Sequence, residues 1–388
     1  MVSMRGASSF RLRLLLSALS GKPIIINSIR ASDSTSEPGL AAHEVSFLRL
    51  IERLSAGSVV EISEDGTAVK YVPGVLVGGA NLNHDCSAVK GSRAAGYFVE
   101  PLLLLMPFCK RPTSVSLRNV ATCGGGVDVS MDHVRMAMLP LVRHALTAPV
   151  VGGDDPPDVR VEVSTRCPWP HARGEVTVSC SGVVKTTLPR SVDLADEGQV
   201  KRVRGIAWAV DVSPGLATRC ATAAKGIFLN VLSDVYVFTD HTATKGAIHT
   251  RTPGFGIALC CETTAGGRVV FELDATTMSA GGDSGLATGG ALPEEVGRAA
   301  ASACIDQVAR GGVVDHACQP MLLTLAALGP QELARARIGP ITAPATRTLR
   351  LLDDVLGVRF RLRPQVGTKT LFVSCVGAGV RNQGRKAT

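Results

Sequence analysis

Aromatic side chains are scarce in this sequence, with two Trp, three Tyr and ten Phe in 388 residues. A core built from such a chain has to be aliphatic. Long apolar runs are missing as well. Met1 to Lys22 sets Arg5, Arg11 and Arg13 before an apolar stretch, but Ser17, Ser20 and Lys22 interrupt it. Neither that stretch nor Leu102 to Met106 approaches the roughly 20 apolar residues of a membrane span, so no secretory or membrane segment is expected. Paired cysteine spacing is absent too: eleven cysteines, an odd number, scatter from Cys86 to Cys375 without a CxxC. They read as reduced thiols in cytosol or nucleus, serving as small buried hydrophobes. Acidic residues fall short of basic ones, 33 against 41, giving a net charge of +8 and a pI near 9.0. That excess favours a polyanionic partner, because clustered Lys and Arg release counterions from phosphates.

What is present is an ordinary globular balance, 45% hydrophobic and 19% charged, long enough for two or three domains. The apolar period organises it as a unit of helix, strand, helix, strand, strand that recurs three times. In the first copy a helix Phe10 to Leu19 stops at Gly21, Pro23 to Ile29 alternates as a strand, and a helix His43 to Leu54 ends near Gly57. Strands Ser58 to Ile62 and Ala68 to Val72 follow, joined by a turn at Asp65-Gly66. The second copy has a helix Gly96 to Cys109, a strand Ser114 to Val120, a helix Met131 to Leu146 and strands Val159 to Ser164 and Glu175 to Cys180. The third reads as helices Pro293 to Ala309, Met321 to Leu328 and Thr346 to Leu356, then strands Arg359 to Arg363 and Thr370 to Val376. Between them lies an inserted stretch with strand Ile206 to Val212, a helix opened by Ser213-Pro214 and running through Leu232, and strands Val235 to Thr239, Gly256 to Glu262 and Arg268 to Leu273. Ser279 to Gly290 reads as a glycine-rich linker, Ser32 to Glu37 and Gly152 to Asp158 as exposed loops, and Arg381 to Thr388 as a frayed basic tail. The expectation is an α/β (α+β) protein whose large domain covers 1–184 and 291–388, with a smaller α/β domain at 185–290.

Specific strings add to this pattern: LSALSGKPIIINSIR (Leu16 to Arg30), PGL (Pro38 to Leu40), Arg166 to Val176, PGFGIALCCET (Pro253 to Thr263) and GGVVD (Gly311 to Asp315). With them, nearly the whole chain resembles the RNA 3'-terminal phosphate cyclase family. EVSFLRL from Glu44, HDCS from His84, GYFVEPLLLLMPFCK from Gly96, KRVRG from Lys201, TDH from Thr239 and SCVGAG from Ser374 lean toward its cyclase-like ribosome-biogenesis branch. The resemblance implies a fold of three repeated units with an insertion. It also implies work in the nucleolus on pre-rRNA or snoRNA, within the small-subunit processome, beside a large nucleolar GTPase and other processome proteins.

Active cyclases in this family attack ATP with a histidine, hold the adenylate on it and pass it to an RNA 3'-phosphate. Aligned through LGVRF (Leu356 to Phe360), the nucleophile's position reads Pro344. The glycine signature reads RCPWPHARGEV, keeping Arg166 and Pro170 while Cys167, Ala172 and Arg173 replace glycines. The opening Glu-Gly-Gly-Gly-Gln becomes Met4 to Ser8, an arginine position reads Ala41, and beyond Asp315 stand Ala317 and Pro320-Met321. The resemblance therefore implies a scaffold or adaptor without cofactor and without catalytic residues. The alternatives are a cyclase using His316 and a pre-rRNA endonuclease.

Other chemistry is poorly supported by spacing. GGDSG at Gly281 to Gly285 with AAH at Ala41 to His43 mimics serine-protease motifs, but Ser284 sits in the glycine-rich linker. His84 with Cys86, His241 with His249, Cys260 with Cys261, and Asp315-His316 with Cys318 lack a second ligand pair, so no metal is expected. Cys260 and Cys261, adjacent in a strand, should face opposite sides. Asp353-Asp354 is an adjacent helical pair about 100° apart, not one metal clamp. Basic clusters are the candidates for binding: Arg11, Arg13, Lys110, Arg111, Arg118, Arg166 and Arg173 for RNA phosphates, and Lys201, Arg202, Arg204, Arg347 and Arg350 for partners. Arg347 and Arg350 share a face one turn apart.

Overall fold

The computed structural model describes residues 1–31, 38–123, 125–147, 156–243, 252–279 and 291–384. The protein is mixed α/β, as its sequence pattern led us to expect. Three of its four-stranded sheets share one plan: a parallel pair whose connection ends in a buried helix, then two antiparallel strands, in the spatial order first, second, fourth, third. The first sheet uses Val2–Arg5, Ile24–Asn27, Val59–Ile62 and Val69–Val72. The second uses Leu82–Asp85, Thr113–Val120, Val159–Thr165 and Gly174–Cys180, and the third Asp193–Leu194, Leu333–Ile338, Arg361–Pro364 and Leu371–Val376. The turn Asp65-Gly66 forms, with Gly66 at φ 67° and the Asp65 carboxylate accepting from Ser63 Oγ and Thr67 N.

Each sheet opens on a short strand the sequence period did not reveal, because four residues or two are too few to show alternation. The strand Leu333–Ile338 was also missed. Its inward positions include Ala334 and Ala336, which mark a core face weakly, with Arg335 and Arg337 between them. The helix Pro293–Ala309, expected to open the third copy, packs elsewhere. Its Val296, Ala300, Ala301 and Cys304 join Cys220, Ala221 and Ala224 of Pro214–Phe228 against the fourth sheet. That sheet runs Val235–Thr242, Val200–Val210, Gly254–Thr263, Arg268–Asp274. Its small residues let two helices lie close on one face.

The crossover helices Phe10–Ser20, Gly96–Leu105 and Gln319–Leu328 are largely buried along their length. An apolar surface all round is what a helix between layers needs. Leu102, Leu103 and Leu105 are fully buried, each contributing about 1.5–3 kcal/mol. One aliphatic core extends from Met4 to Val380 and a second fills the inserted sheet. The neighbours Cys260 and Cys261 do point opposite ways, Cys260 into the first core and Cys261 into the second. All eleven cysteines are buried and free. Among the described residues, no helix is long and apolar enough to cross a membrane.

Polar contacts join the inserted sheet to the rest. Pro140 cannot donate to the Met136 carbonyl, and Arg268 Nη1 donates to it instead at 3.2 Å. Glu272 accepts from Ser130 N at 3.0 Å. The start of the basic tail is not frayed: Asn382 is buried, and its amide donates to the Val184 carbonyl at 2.8 Å. The linker 280–290, the loops 32–37 and 152–155, and the tail 385–388 lie outside the described residues.

Candidate functional site

Five helices start around one cleft of about 500 Å³. Arg11, His43, Tyr97, Pro320 and Pro344 are the second residues of Phe10–Ser20, Ala42–Leu54, Gly96–Leu105, Gln319–Leu328 and Ala343–Leu356, and all five line it. Unpaired N–H groups and dipole ends at helix starts favour negative charge. Four of the positions at which the cyclase resemblance fails gather here too, for Pro344, Ala317, Pro320 and Met321 line the same space.

The charged groups of the cleft are mostly engaged. Tyr97 lies between two guanidinium groups, with Arg11 at 4.3 Å and Arg93 at 4.9 Å from its ring centre. Arg11 donates to the Tyr97 carbonyl at 2.5 Å and pairs with Glu100 at 3.4 Å. Arg93 pairs with Asp128 at 3.0 Å, and Arg30 pairs with the buried Glu44. Arg347 is exposed at the rim and has no hydrogen-bond or ion-pair partner among the described residues. His43 lies edge-on to Tyr97, ring centres 5.1 Å apart. Burial, then Arg93, lowers its pKa.

The glycine-signature segment Arg166–Arg173 lies away from the cleft. Arg166, assigned to phosphate from the sequence, is buried and committed: Nη1 reaches Asp132 at 2.5 Å, Nε reaches Asp240 at 3.0 Å, and the guanidinium lies 5.8 Å from the Trp208 ring. Burial opposes its charge, yet Asp132 raises its pKa. Arg13 is buried as well, donating to the carbonyls of Gly6 at 2.6 Å and Arg5 at 3.0 Å, with its pKa lowered by burial. Neither side chain can reach RNA without dismantling its contacts. Arg118 pairs with Glu175 at 2.9 Å, Arg202 with Glu262 at 2.7 Å and Arg204 with Asp234 at 2.7 Å. Lys110, Arg111, Arg173, Lys201 and Arg350 are exposed. Of the basic candidates, Arg11 and Arg347 come together at the cleft; the others are dispersed.

The metal candidates dissolve into core chemistry. His84 is a buried histidine bonded to Ser46 Oγ at 2.8 Å, its pKa pulled down to about 4 by burial. His249 and Ser284 lie outside the described residues. His316 is half-buried and does not line the cleft, while Asp353 pairs with Arg359 at 3.2 Å. A cluster that spacing could not reveal combines His133, Asp315 and Cys318, with donor atoms within 4.8 Å of one another. Asp315 Oδ1 also accepts from Ala317 N at 2.9 Å and Cys318 N at 3.0 Å. Burial works against a charged His133, but Asp315 at 3.4 Å raises its pKa from 6.5 to about 9. These residues form a buried ion pair beside a thiol, and a structural zinc ordinarily takes four ligands. Also unforeseen were His43, Arg93, Tyr97, Glu100 and Asp128. His43 and Tyr97 stand at helix starts and the other three pair around them, an arrangement that needs the helices assembled before it can be read.

Repeated strand-helix-strand units, an inserted α/β sheet and a cleft at converging helix starts fit an RNA-end cyclase type of architecture. The model for RNA 3'-terminal phosphate cyclase matches residues 2–362, and the chain belongs to that family. An Arabidopsis thaliana protein named probable RNA 3'-terminal phosphate cyclase-like protein is 38% identical, covering 100% of this chain and 99% of its own. The human RNA 3'-terminal phosphate cyclase-like protein is 35% identical over 98% of this chain and 96% of its own. The Schizosaccharomyces pombe rRNA processing protein rcl1 is 32% identical, covering 98% and 97%.

Proposed function

We propose that the protein is a non-catalytic factor of small ribosomal subunit biogenesis. It acts as a scaffold or adaptor in pre-rRNA processing, in the nucleolus, within the small-subunit processome and beside a large nucleolar GTPase. The observation that carries this reading is Pro344 in the cleft, at the position the family resemblance gives to the nucleophile. Proline has no side-chain atom that can attack phosphorus, and Ala317, Pro320 and Met321 nearby offer no charge to a triphosphate. The name of the fission yeast relative supports work on rRNA. Arg11 at the cleft, with exposed Lys110, Arg111 and Arg173, serves pre-rRNA or snoRNA phosphates, and Lys201 with Arg347 and Arg350 serves an acidic partner segment.

A second reading has one observation in its favour, the imidazole of His43 lining the cleft at a helix start. Incubation with α-labelled ATP separates the two. No covalent label is expected, and an adenylate that disappears in His43→Ala would replace the scaffold with a catalyst. Depletion of the protein should leave unprocessed small-subunit rRNA precursors, and normal precursor levels would count against the ribosomal role.

A further inference from the structure

An aromatic-poor chain has two aromatic side chains open to solvent, and they are neighbours. Tyr236 is 50% exposed and Phe238 56% exposed. Among the described residues no other Tyr, Phe or Trp is as open. Both lie on Val235–Thr242, the edge strand of the inserted sheet, two residues apart and so on one face. Their ring centres are 4.4 Å apart. Val237 between them points the other way into the helix-covered core. Both rings therefore lie on the face away from the two helices, where their exposure forgoes the burial an inward residue gains.

The neighbours of this face are cationic. Arg204 stands opposite Tyr236 and Ile206 opposite Phe238 in the sheet register. Lys225 Nζ lies 5.3 Å from the Tyr236 ring centre. Arg202, on the same face as Arg204, and Arg268 share the single carboxylate of Glu262 at 2.6 and 3.1 Å, while Arg204 takes Asp234. Two arginines on one carboxylate and an added lysine leave the rim positive. A sheet face carrying two exposed aromatic rings, set edge to face at 75°, with a cationic rim suits an unpaired nucleic-acid strand, whose bases stack on an open ring face while its phosphates meet Lys and Arg. Duplex RNA hides its base faces and cannot use the rings.

We propose that the Tyr236–Phe238 face of the inserted sheet is a stacking platform for single-stranded RNA, with Lys225, Arg202 and Arg204 at its phosphate rim. The site is separate from the helix-start cleft and rests on the reading of this protein as one that works on RNA. It selects unpaired segments over helices and is tolerant of base identity.

The full chain is titrated with a short fluorescein-labelled oligouridine, alongside the pairs Tyr236→Ala/Phe238→Ala and Tyr236→Leu/Phe238→Leu, each checked for native circular dichroism. Binding by the wild type and a loss of about tenfold to a hundredfold in both pairs is expected, with duplex RNA competing poorly. Should the leucine pair bind as the wild type does, apolar bulk rather than ring stacking holds the strand, and the stacking platform is overturned. Unchanged affinity in the alanine pair overturns the platform while leaving RNA work intact. The ribosomal reading itself fails on a different result, normal precursor levels after depletion of the protein.

Discussion

Arg166 and Arg347 were both read from the sequence as binding residues, and the fold uses them in opposite ways. Arg166 is 7% exposed and holds two carboxylates, one from the second unit and one from the inserted sheet. Arg347 stands at the mouth of the cleft with no ion-pair partner among the described residues. A buried guanidinium without carboxylates would be prohibitively costly, so the pairs around Arg166 are a condition of its burial. An exposed guanidinium pays no such cost and stays available. The difference teaches that a basic residue buried among carboxylates is consumed by the fold, whereas one left at the surface stays available to a partner.

The comparison predicts a graded series. Arg166→Met should have the largest effect, about 3–5 kcal/mol of lost stability by chemical denaturation, because Asp132 remains buried without its counterion. A loss below 1 kcal/mol, within the range of ordinary surface substitutions, would place Arg166 with Arg347. His133→Gln should follow, at about 3 kcal/mol at neutral pH. The sign follows from the raised pKa of His133: its contribution is complete below its ordinary 6.5 and is lost as pH rises through about 9. Denaturation midpoints of the wild type should therefore fall across that window, and the variant's curve should be flatter. Equal slopes would show that the pair with Asp315 is not charged.

Arg13→Ala should cost about 2 kcal/mol, from lost charged hydrogen bonds to the Gly6 and Arg5 carbonyls. Its readout is the melting temperature, with RNA affinity unchanged once the protein is folded. Smallest in stability should be Arg347→Glu with Arg350→Glu, within about 0.5 kcal/mol of the parent. That double variant should nevertheless lose a processome partner in affinity capture. Unchanged association with every partner would remove the cleft rim from the docking surface.

Much of the fold was legible because periodicity reports burial directly. The helix Pro293–Ala309 was placed to the residue, and Ala42–Leu54 within one, since their apolar spacing and end residues are local signals. Which sheet the first of these covers was not legible, because an amphipathic face does not name its partner. The site divided similarly. Pro344, Ala317, Pro320 and Met321 stood out as departures from the family pattern, and they do share a cleft. His43 passed as half of an accidental protease match, and Tyr97 as one letter of an apolar helix.

By itself the sequence determined the aliphatic core, the reduced and buried cysteines, the mixed α/β class and the absence of a histidine at position 344. These depend on residue type and on spacing along the chain, which local propensity and hydrophobicity translate without further information. Tertiary structure alone decided that His133 meets Asp315, that Arg166 is consumed, and that Tyr236 and Phe238 remain in solvent. Each of those outcomes turns on which distant surfaces are pressed together. Coulomb energy and desolvation depend on distance in space, and separation along the chain does not fix it.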